Sequence, residues 1–284
     1  MHFGGVMYIV PNCETARARS CLSKMNFKTL KCDVPEPGIL LVTLNRPQVL
    51  NAINSTMMAE LLAFWRSFES EPNTRCIVLT GSGNAFCAGA DLKERNGLTV
   101  ETWQQHHAIL EQAMGAMIAC PVPVIAAVNG AAFGGGLELV LGSDFAYAAV
   151  NATFAMPEAR LGFIPGAMGT QTLPRAIGAR RAKELCFTGD VFHAVEALAW
   201  RVVNRVCEPD SLLAEVLTVA RKIASNAPLA IKELKRVIST ANDTDLRSGY
   251  KVELEAYNRL IPTEDREEGI RAFNQKRAPR FQGR

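Results

Sequence analysis

Two glutamates stand in sequence contexts that favour acid–base chemistry. Glu138 lies in the apolar run 137–141, where an ionised carboxylate is costly unless it is paired or used. Glu158 follows Pro157, and because proline suits the first turn of a helix, Glu158 is predicted to lie close to a helix N-terminus. The alternatives are a solvent-facing helix position for Glu138 and a dipole-stabilised helix start for Glu158. The glycine-rich turn 161–170, which follows Glu158, favours the active-site interpretation of both.

Two further glycine-rich segments, 81–93 and 129–138, each follow a predicted buried strand. Small residues at 88–90 let a ligand approach the backbone closely, so their N–H groups can donate hydrogen bonds. The three glycines at 134–136 begin a predicted helix and leave N–H groups unpaired at the positive end of its dipole. Two such loops side by side could bind one oxyanion. Close packing of the helix on a strand is the alternative reason for the triple glycine.

Motifs for several other chemistries are missing from the sequence. It contains no GxGxxG after a strand, no GK[ST] loop, no HExxH and no GxSxG, which removes the usual support for nucleotide-binding, zinc and serine-hydrolase sites. His106 and His107 are adjacent on a predicted helix and face different ways, and His193 stands alone. A surface or partner-helix role is therefore favoured over catalysis for these histidines.

The elements that position these residues alternate between strand and helix. Buried strands are predicted at 38–44, 76–80 and 122–128, and a helix at 55–69 with Ser55 as its N-cap. This alternation predicts βαβ units in an α/β core at 25–205. The last part, 206–284, is predicted to be helical, with apolar residues at helical spacing in four segments: 212–225, 229–240, 246–260 and 264–276.

Length and charge narrow the classes of protein. The 284 residues, 48% of them hydrophobic and 21% charged, are typical of a globular protein with a substantial core. A net charge of +3 is too small for a protein that binds a polyanion along its length, although a small anionic ligand is allowed. The 8 scattered cysteines favour a reducing compartment and no metal site. No apolar run approaches the ~20 residues that a membrane span needs.

Residues 1–24 are interpreted separately. They contain three basic residues, one acidic residue and no long apolar stretch, so a secretory signal is disfavoured. A disordered extension, with folding starting near Met25, is preferred over a weakly transit-like peptide. The predicted location is the cytoplasm of a bacterium, or the mitochondrial matrix if this segment is a transit peptide.

With these motifs, the chain is identified as similar to the crotonase (enoyl-CoA hydratase/isomerase) superfamily. The resemblance covers 26–284, and within it the segment 88–95 and the ending 261–283 most resemble methylglutaconyl-CoA hydratases and their bacterial relatives. The matching stretches are Asn45-Arg46-Pro47, Leu50-Asn51-Ala52, the residues 85–91, 127–130 and 134–138, Pro157-Glu158, Pro165-Gly166, and the tail residues 264–269, 272–273 and 276–277.

The resemblance implies a fold and an assembly. The expected fold class is α/β, a crotonase-like (ClpP/crotonase) spiral of ββα units with a C-terminal helical trimerisation region. Trimers of this superfamily usually pair into hexamers. The implied substrate is an acyl-CoA thioester, with no metal and no further cofactor.

The resemblance also implies the site. The backbone N–H groups of Ala90 and Gly135 form the oxyanion hole, and Glu138 and Glu158 are the acid and base that hold a water between them. The implied contacts with substrate and CoA are Gln48, Val49, Leu50, Ala88, Ala90, Asp91, Leu92, Gly134, Gly135, Pro157 and Gly166, together with Phe273 and Lys276 from a neighbouring subunit. A trimer-interface anchor and a solvated helix face are the alternatives for the last two.

Two positions depart from the family pattern. Met168 stands where glycine is usual, and Thr172 stands where arginine is usual. These departures predict an acyl end of the pocket that is narrower or differently polar.

The predicted reaction is hydration of a trans-2-enoyl-CoA, because isomerases of the superfamily typically keep only the equivalent of Glu158. Isomerisation or other enolate chemistry in the same fold is the alternative. RNA binding, which some methylglutaconyl-CoA hydratases show, is a distant third possibility with little support from the small net charge. A non-catalytic assembly role would leave the glutamates and donor loops without a purpose.

Overall fold

The computed structural model describes residues 26–68, 73–241 and 243–284. The predicted N-terminal extension lies outside these residues. The strands are β1 Leu30–Glu36, β2 Ile39–Leu44, β3 Cys76–Gly81, β4 Ala85–Cys87, β5 Val124–Val128, β6 Ala131–Phe133, β7 Phe145–Ala149, β8 Thr153–Ala155, β9 Phe192–His193 and β10 Arg205–Cys207. The α-helices are α1 Ser55–Ser67, α2 Leu92–Arg95, α3 Val100–Ile118, α4 Gly135–Gly142, α5 Gly169–Ile177, α6 Ala179–Thr188, α7 Ala194–Ala199, α8 Leu212–Ala224, α9 Pro228–Ala241, α10 Leu246–Leu260 and α11 Glu264–Asn274. Short 3-10 helices lie at Pro47–Val49 and Glu158–Leu161.

Two sheets run through the described part of the chain. The larger has the order β1-β2-β3-β5-β7-β10, and the smaller has the order β4-β6-β8-β9. Successive pairs β3 and β4, β5 and β6, and β7 and β8 place one strand in each sheet, and a helix follows each pair. This repeated ββα turn confirms the predicted crotonase-like spiral.

The apolar sequence of the central strands explains their position. Every residue of β5 is buried, as are Cys76, Ile77, Val78 and Leu79 of β3, which is typical of parallel strands covered on both faces. One face of the larger sheet packs into the main core with Phe64 and Trp65 of α1. The other face is covered by α8.

Several predicted boundaries need correction. The N-cap of α1 is Asn54 rather than Ser55, because Asn54 has extended backbone angles and its side chain accepts a hydrogen bond from Met57 N at 3.0 Å. Ser55 Oγ instead donates to Glu94. Strand β1 was not predicted, since its mixed polar sequence at a sheet edge shows no clear alternation.

The C-terminal helices fall close to their predicted bounds. The helix predicted at 264–276 ends at Asn274, and Lys276 has a φ of 53°, which a helix cannot contain. The predicted boundary at 205/206 between core and helical region falls within β10. No helix in the described ranges is long and apolar enough to cross a membrane.

Candidate active site

The two loops predicted to donate hydrogen bonds meet in space. Gly89 follows β4 with a φ of +89°, and a Cβ on it would lie 2.7 Å from Phe133 O and 3.4 Å from Gly135 N. Ala90 bridges to Ile53. Within the described chain, no acceptor receives the N–H of Ala90 or of Gly135. Two unpaired donors therefore lie at adjoining loops, as an oxyanion site requires.

Each of the three consecutive glycines at the start of α4 is explained by a different feature of the structure. Gly134 has a φ of +49°, and a Cβ on it would lie 2.5 Å from Glu158 Oε1. Gly136 packs so closely on β4 that a Cβ would lie 2.0 Å from Cys87 O. Gly135, between them, is the first residue of the helix, and its N–H has no acceptor in the described part of the chain. Close packing and ligand-facing donors thus occur together in this segment.

Glu138 is 3% exposed in the first turn of α4. Its Oε1 accepts hydrogen bonds from Ala167 N at 2.8 Å and Gly169 N at 2.7 Å. Burial raises the pKa of this carboxyl, while the two N–H groups and the charge of Arg95 act in the opposite direction. The solvent-facing interpretation of Glu138 is therefore wrong.

Met168 lies between the two amides that bind Glu138. It adopts the left-handed conformation, with a φ of 74°, which favours glycine and explains why glycine is usual here. Thr172 Oγ1 donates to Met168 O at 3.1 Å. Neither residue is among those that line the cavity described below, and the predicted change at its acyl end stays a prediction.

Glu158 begins the 3-10 helix directly after Pro157 and is 6% exposed. Its Oε2 is buried and has no hydrogen-bond partner among the described residues. Burial raises the pKa of Glu158 to about 7; its own backbone N–H opposes the shift and the negative charge of Glu138 adds to it. A carboxyl in this environment retains a proton near neutral pH.

Both glutamates open onto one cavity of about 330 Å³. The predicted residues that line it are Ala88, Ala90, Leu92, Gly134, Gly135, Glu138, Pro157, Glu158 and Gly166. The cavity is also lined by residues that the sequence did not predict, among them Ile53, Arg95, Trp103, His107, Leu110, Phe163 and Ile164.

Other predicted contacts lie away from this cavity. Gln48, Val49 and Leu50 belong to the 3-10 turn after β2, and Leu50 is half exposed. Asp91 caps α2 and forms an ion pair with Arg46 at 2.9 Å. Their contacts with CoA stay predictions.

The two C-terminal residues also stay predictions. Phe273 is 82% exposed near the end of α11, and Lys276 follows it. Neither lines the cavity of its own chain. An exposed position fits a CoA contact in a neighbouring subunit. It also fits the alternatives, a trimer-interface anchor for Phe273 and a solvated helix face for Lys276.

His107 lines the cavity, although the sequence favoured a surface or partner-helix role for it. Its ring lines the cavity and packs on Gly166, where a Cβ would lie 2.6 Å from His107 Cε1. Trp103, His107 and Leu110 share the cavity face of α3 at spacings of four and three residues. This helical spacing from Trp103 is the sequence pattern that could have placed His107 on the same helix face as Trp103 and Leu110.

The described cysteines give no support for other chemistry. Cys87 is fully buried beside the loop that carries Ala90, and burial raises the pKa of its thiol to about 12, so it is a poor nucleophile. Within the described residues, no cluster of His, Cys, Asp and Glu could hold a metal ion.

Comparison with known proteins gives a consistent set of matches. The family described as enoyl-CoA hydratase/isomerase matches residues 35–284. The Bacillus subtilis protein YngF is 43% identical over 251 residues, covering 88% of this chain and 96% of the relative. The crotonyl-CoA hydratase of Syntrophomonas wolfei is 37% identical over 247 residues, covering 87% and 95%. The crystal structure of the Bacillus anthracis enoyl-CoA hydratase superposes with a TM-score of 0.89 at 41% identity, covering 90% of this chain and all of that one.

Proposed function

Because the chain belongs to the enoyl-CoA hydratase/isomerase family, we propose that it adds water across the 2,3 double bond of a trans-2-enoyl-CoA to give a 3-hydroxyacyl-CoA. One observation carries this proposal. Two buried glutamates open onto one cavity: backbone N–H groups bind Glu138 Oε1, whereas Glu158 Oε2 has no partner among the described residues. Ala90 and Gly135, whose N–H groups have no acceptor in that part of the chain, line the same cavity. The substrate itself brings the CoA thioester, and the proposed mechanism uses no metal and no other cofactor.

The N–H groups of Ala90 and Gly135 hold the thioester oxygen in this mechanism. As the double bond is attacked, negative charge moves onto that oxygen and forms an enolate. Fixed donors stabilise this charge without reorganising, and the loss of one such donor typically slows a reaction about 100- to 1,000-fold.

Glu138 is assigned as the base. Its Oε1 accepts two N–H bonds, and such bonds favour the ionised form. Glu138 takes a proton from water as the water oxygen bonds to C3 of the substrate.

Glu158 is assigned as the acid. Its raised pKa and unpartnered Oε2 keep a proton available, which it delivers to C2. The two carboxyls then exchange one proton to restore the starting state, as a coupled pair can.

Double-bond isomerisation is the second candidate. It needs only one carboxyl to move a proton between carbons, whereas here two buried carboxyls line the cavity. Hydration uses both of them. An RNA-binding role gains no supporting observation from the site.

Crotonyl-CoA tests the proposal. Wild type is expected to bleach the conjugated-thioester absorbance, and E138Q and E158Q to lower kcat by at least about 100-fold, the typical contribution of a positioned acid or base. E111Q, on an exposed position of α3, is the matched control. Wild-type turnover no faster than that of E138Q or E158Q contradicts hydration. In H₂¹⁸O, a product without the label and with a moved double bond indicates isomerisation.

The acyl group is a finer question. The similarity of 88–95 to methylglutaconyl-CoA hydratases supports 3-methylglutaconyl-CoA as a candidate substrate. A panel of straight and branched enoyl-CoAs that includes it ranks the preference by kcat/KM.

The C-terminal helices carry the surface that is proposed for self-association. The C-terminal helices expose large apolar side chains, among them Leu246, Tyr257 and Phe273, which is typical of an interaction surface. We propose a homotrimer, paired into a hexamer, in which Phe273 and Lys276 reach the nucleotide end of a neighbour's CoA.

A further inference from the structure

A buried asparagine anchors the chain segment 50–53, which pairs with the first donor loop, residues 88–91. Asn51 is fully buried and has a φ of 57°, in the left-handed region that asparagine enters more readily than most residues. Its segment lies between the 3-10 turn at Pro47–Val49 and α1. A buried amide is costly unless its hydrogen bonds are made, so the partners of Asn51 indicate what it holds.

The side chain of Asn51 binds backbone groups on two sides of its own segment. Its Oδ1 accepts a hydrogen bond from Arg46 N at 2.8 Å. Its Nδ2 donates to three carbonyl oxygens, those of Ser82 at 2.9 Å, Ala85 at 2.9 Å and Phe86 at 3.2 Å. The last two residues belong to β4, the strand that leads into the first donor loop. Asn51 therefore fixes segment 50–53 against the base of that loop.

The backbone of segment 50–53 pairs with the first donor loop. Three hydrogen bonds join them: Ala88 N to Leu50 O at 2.9 Å, Ile53 N to Gly89 O at 2.7 Å, and Asp91 N to Ile53 O at 2.9 Å. Ile53 and Ala90 form a parallel bridge. A parallel ladder uses the N–H and C=O groups of every second residue of a strand. The pairing therefore leaves out Ala90, whose N–H has no acceptor among the described residues.

A second connection to the same loop runs through Arg46. Its backbone N–H binds Asn51, while its guanidinium donates to Ala52 O and to the carboxylate of Asp91. Asp91 directly follows Ala90. The loop is thus held through Asn51 and β4 before the free donor, and through Arg46 after it.

We propose that Asn51 is a positioning residue for the oxyanion site: it holds segment 50–53 so that the pairing with 88–91 aims the N–H of Ala90 at the thioester oxygen. This inference rests on the proposed function and adds a residue to its machinery. Asn51 is not among the residues that line the cavity, so it acts through the pairing and not on the substrate.

The expected effect is on the chemical step. A backbone donor stabilises an enolate only when it is held in the correct direction, and a small misplacement of a catalytic group can cost about 100-fold in rate. Binding of the CoA thioester depends on many other contacts. Loss of the Asn51 amide should therefore lower kcat far more than it raises KM.

The absorbance of a bound thioester tests the proposal directly. The chromophore of 4-dimethylaminocinnamoyl-CoA is conjugated to the thioester carbonyl, and its band moves to longer wavelength as that oxygen accepts stronger hydrogen bonds. Wild type is expected to shift the band on binding. N51G removes the amide but keeps a residue that accepts a positive φ. It should lose most of the shift and lower kcat for crotonyl-CoA by about 10- to 100-fold.

N51D is the second variant. Its carboxylate keeps the shape of the side chain and the acceptor for Arg46 N, but it cannot donate to the three carbonyl oxygens. It should therefore lose the shift as N51G does. Unfolding of each variant in urea shows that the assays are made on folded protein.

Asn54 provides a matched control. It is a half-buried asparagine three positions further along the chain, and its side chain caps α1 by accepting from Met57 N. N54A lowers stability by removing this cap but breaks no contact with 88–91. It should keep the wild-type band shift and the wild-type kcat.

Four results distinguish the outcomes. A band shift and kcat that N51G and N51D both retain overturn the positioning role and leave hydration of crotonyl-CoA by wild type intact. An equal loss of the shift in N54A indicates general destabilisation and also overturns it. A wild type that binds the probe without a shift refutes the oxyanion site itself. Conversely, a shift that depends on Asn51, in a protein that hydrates no enoyl-CoA, supports the positioning role and refutes hydration.

Discussion

Glu138 and Glu158 carry the same functional group, and burial raises the pKa of both, but their hydrogen-bonding surroundings differ. Backbone N–H groups from both sides of Met168 reach Glu138, whereas Glu158 Oε2 is buried with no partner in the described chain. Ionisation therefore costs less at Glu138 than at Glu158. The acid and base of the proposed reaction are thus distinguished by neighbours that lie far away in the sequence.

This difference predicts a pH dependence at the residue scale. Burial raises the pKa of Glu158 to about 7, so the protonated acid is present below that pH and lost above it. We expect kcat/KM for crotonyl-CoA to fall as the pH rises through about 7. The same shift contributes stability at low pH that is lost as the pH rises through the folded pKa.

Rate profiles of wild type, E158Q and E111Q check this expectation. E111Q should reproduce the wild-type decline, and the residual rate of E158Q should show no such decline, because its amide does not titrate. A wild-type rate that is flat or increases through neutral pH would show that protonated Glu158 is not required.

At the scale of elements, the contact between α4 and β4 sets the geometry of the proposed oxyanion site. The two elements touch through Gly136, whose Cα faces the backbone of Cys87. Since backbone cannot rotate out of the way as a side chain can, the separation of α4 from β4 depends on a residue without a Cβ. That separation places Gly135 N beside the loop of Ala90.

G136A tests the importance of this contact. Its Cβ would lie 2.0 Å from Cys87 O, so α4 must shift, and we expect unfolding by urea to become easier by about 3 kcal/mol, at the upper end of typical overpacking costs. G115A is the control in α3, where a Cβ meets nothing within 4 Å, and it should stabilise by about 0.5 to 1 kcal/mol. Equal stability of G136A and wild type would contradict the close-contact interpretation.

At the scale of the whole molecule, the C-terminal tail ties the last helices to the core. Asp265 of α11 accepts hydrogen bonds from Gln282 N and Gly283 N, and Arg75 donates to Phe281 O at 2.8 Å. The tail therefore fixes the orientation of α11. The exposed Phe273 is presented on this fixed helix.

The proposed assembly gives a prediction at this scale. Wild type, with a chain of 30.9 kDa, should sediment as three or six copies. F273D should shift the distribution to smaller species and raise KM for CoA substrates, because a charge in an apolar interface is costly. V34D, at another exposed apolar position, should behave as wild type. A wild-type monomer at micromolar concentration would refute the assembly.

Much of this protein followed from local sequence. Continuous apolar runs predicted β2, β3 and β5, and helical spacing predicted α8 to α11, because burial on one or both faces leaves a periodic trace in the chain. Glycine clusters indicated the two donor loops, and a glutamate within an apolar run indicated Glu138. A buried polar group or a missing Cβ needs an explanation wherever it occurs.

Tertiary structure alone decided how these pieces act together. The donors to Glu138 come from residues 29 and 31 positions away, Arg95 and His107 reach the cavity from separate helices, and β1 exists because an edge strand pairs with β2. Composition and periodicity record whether a side chain is buried, but they do not record which distant group it meets. That depends on the angles and separations at which the elements pack, so the proposed roles of acid and base are defined only in the folded molecule.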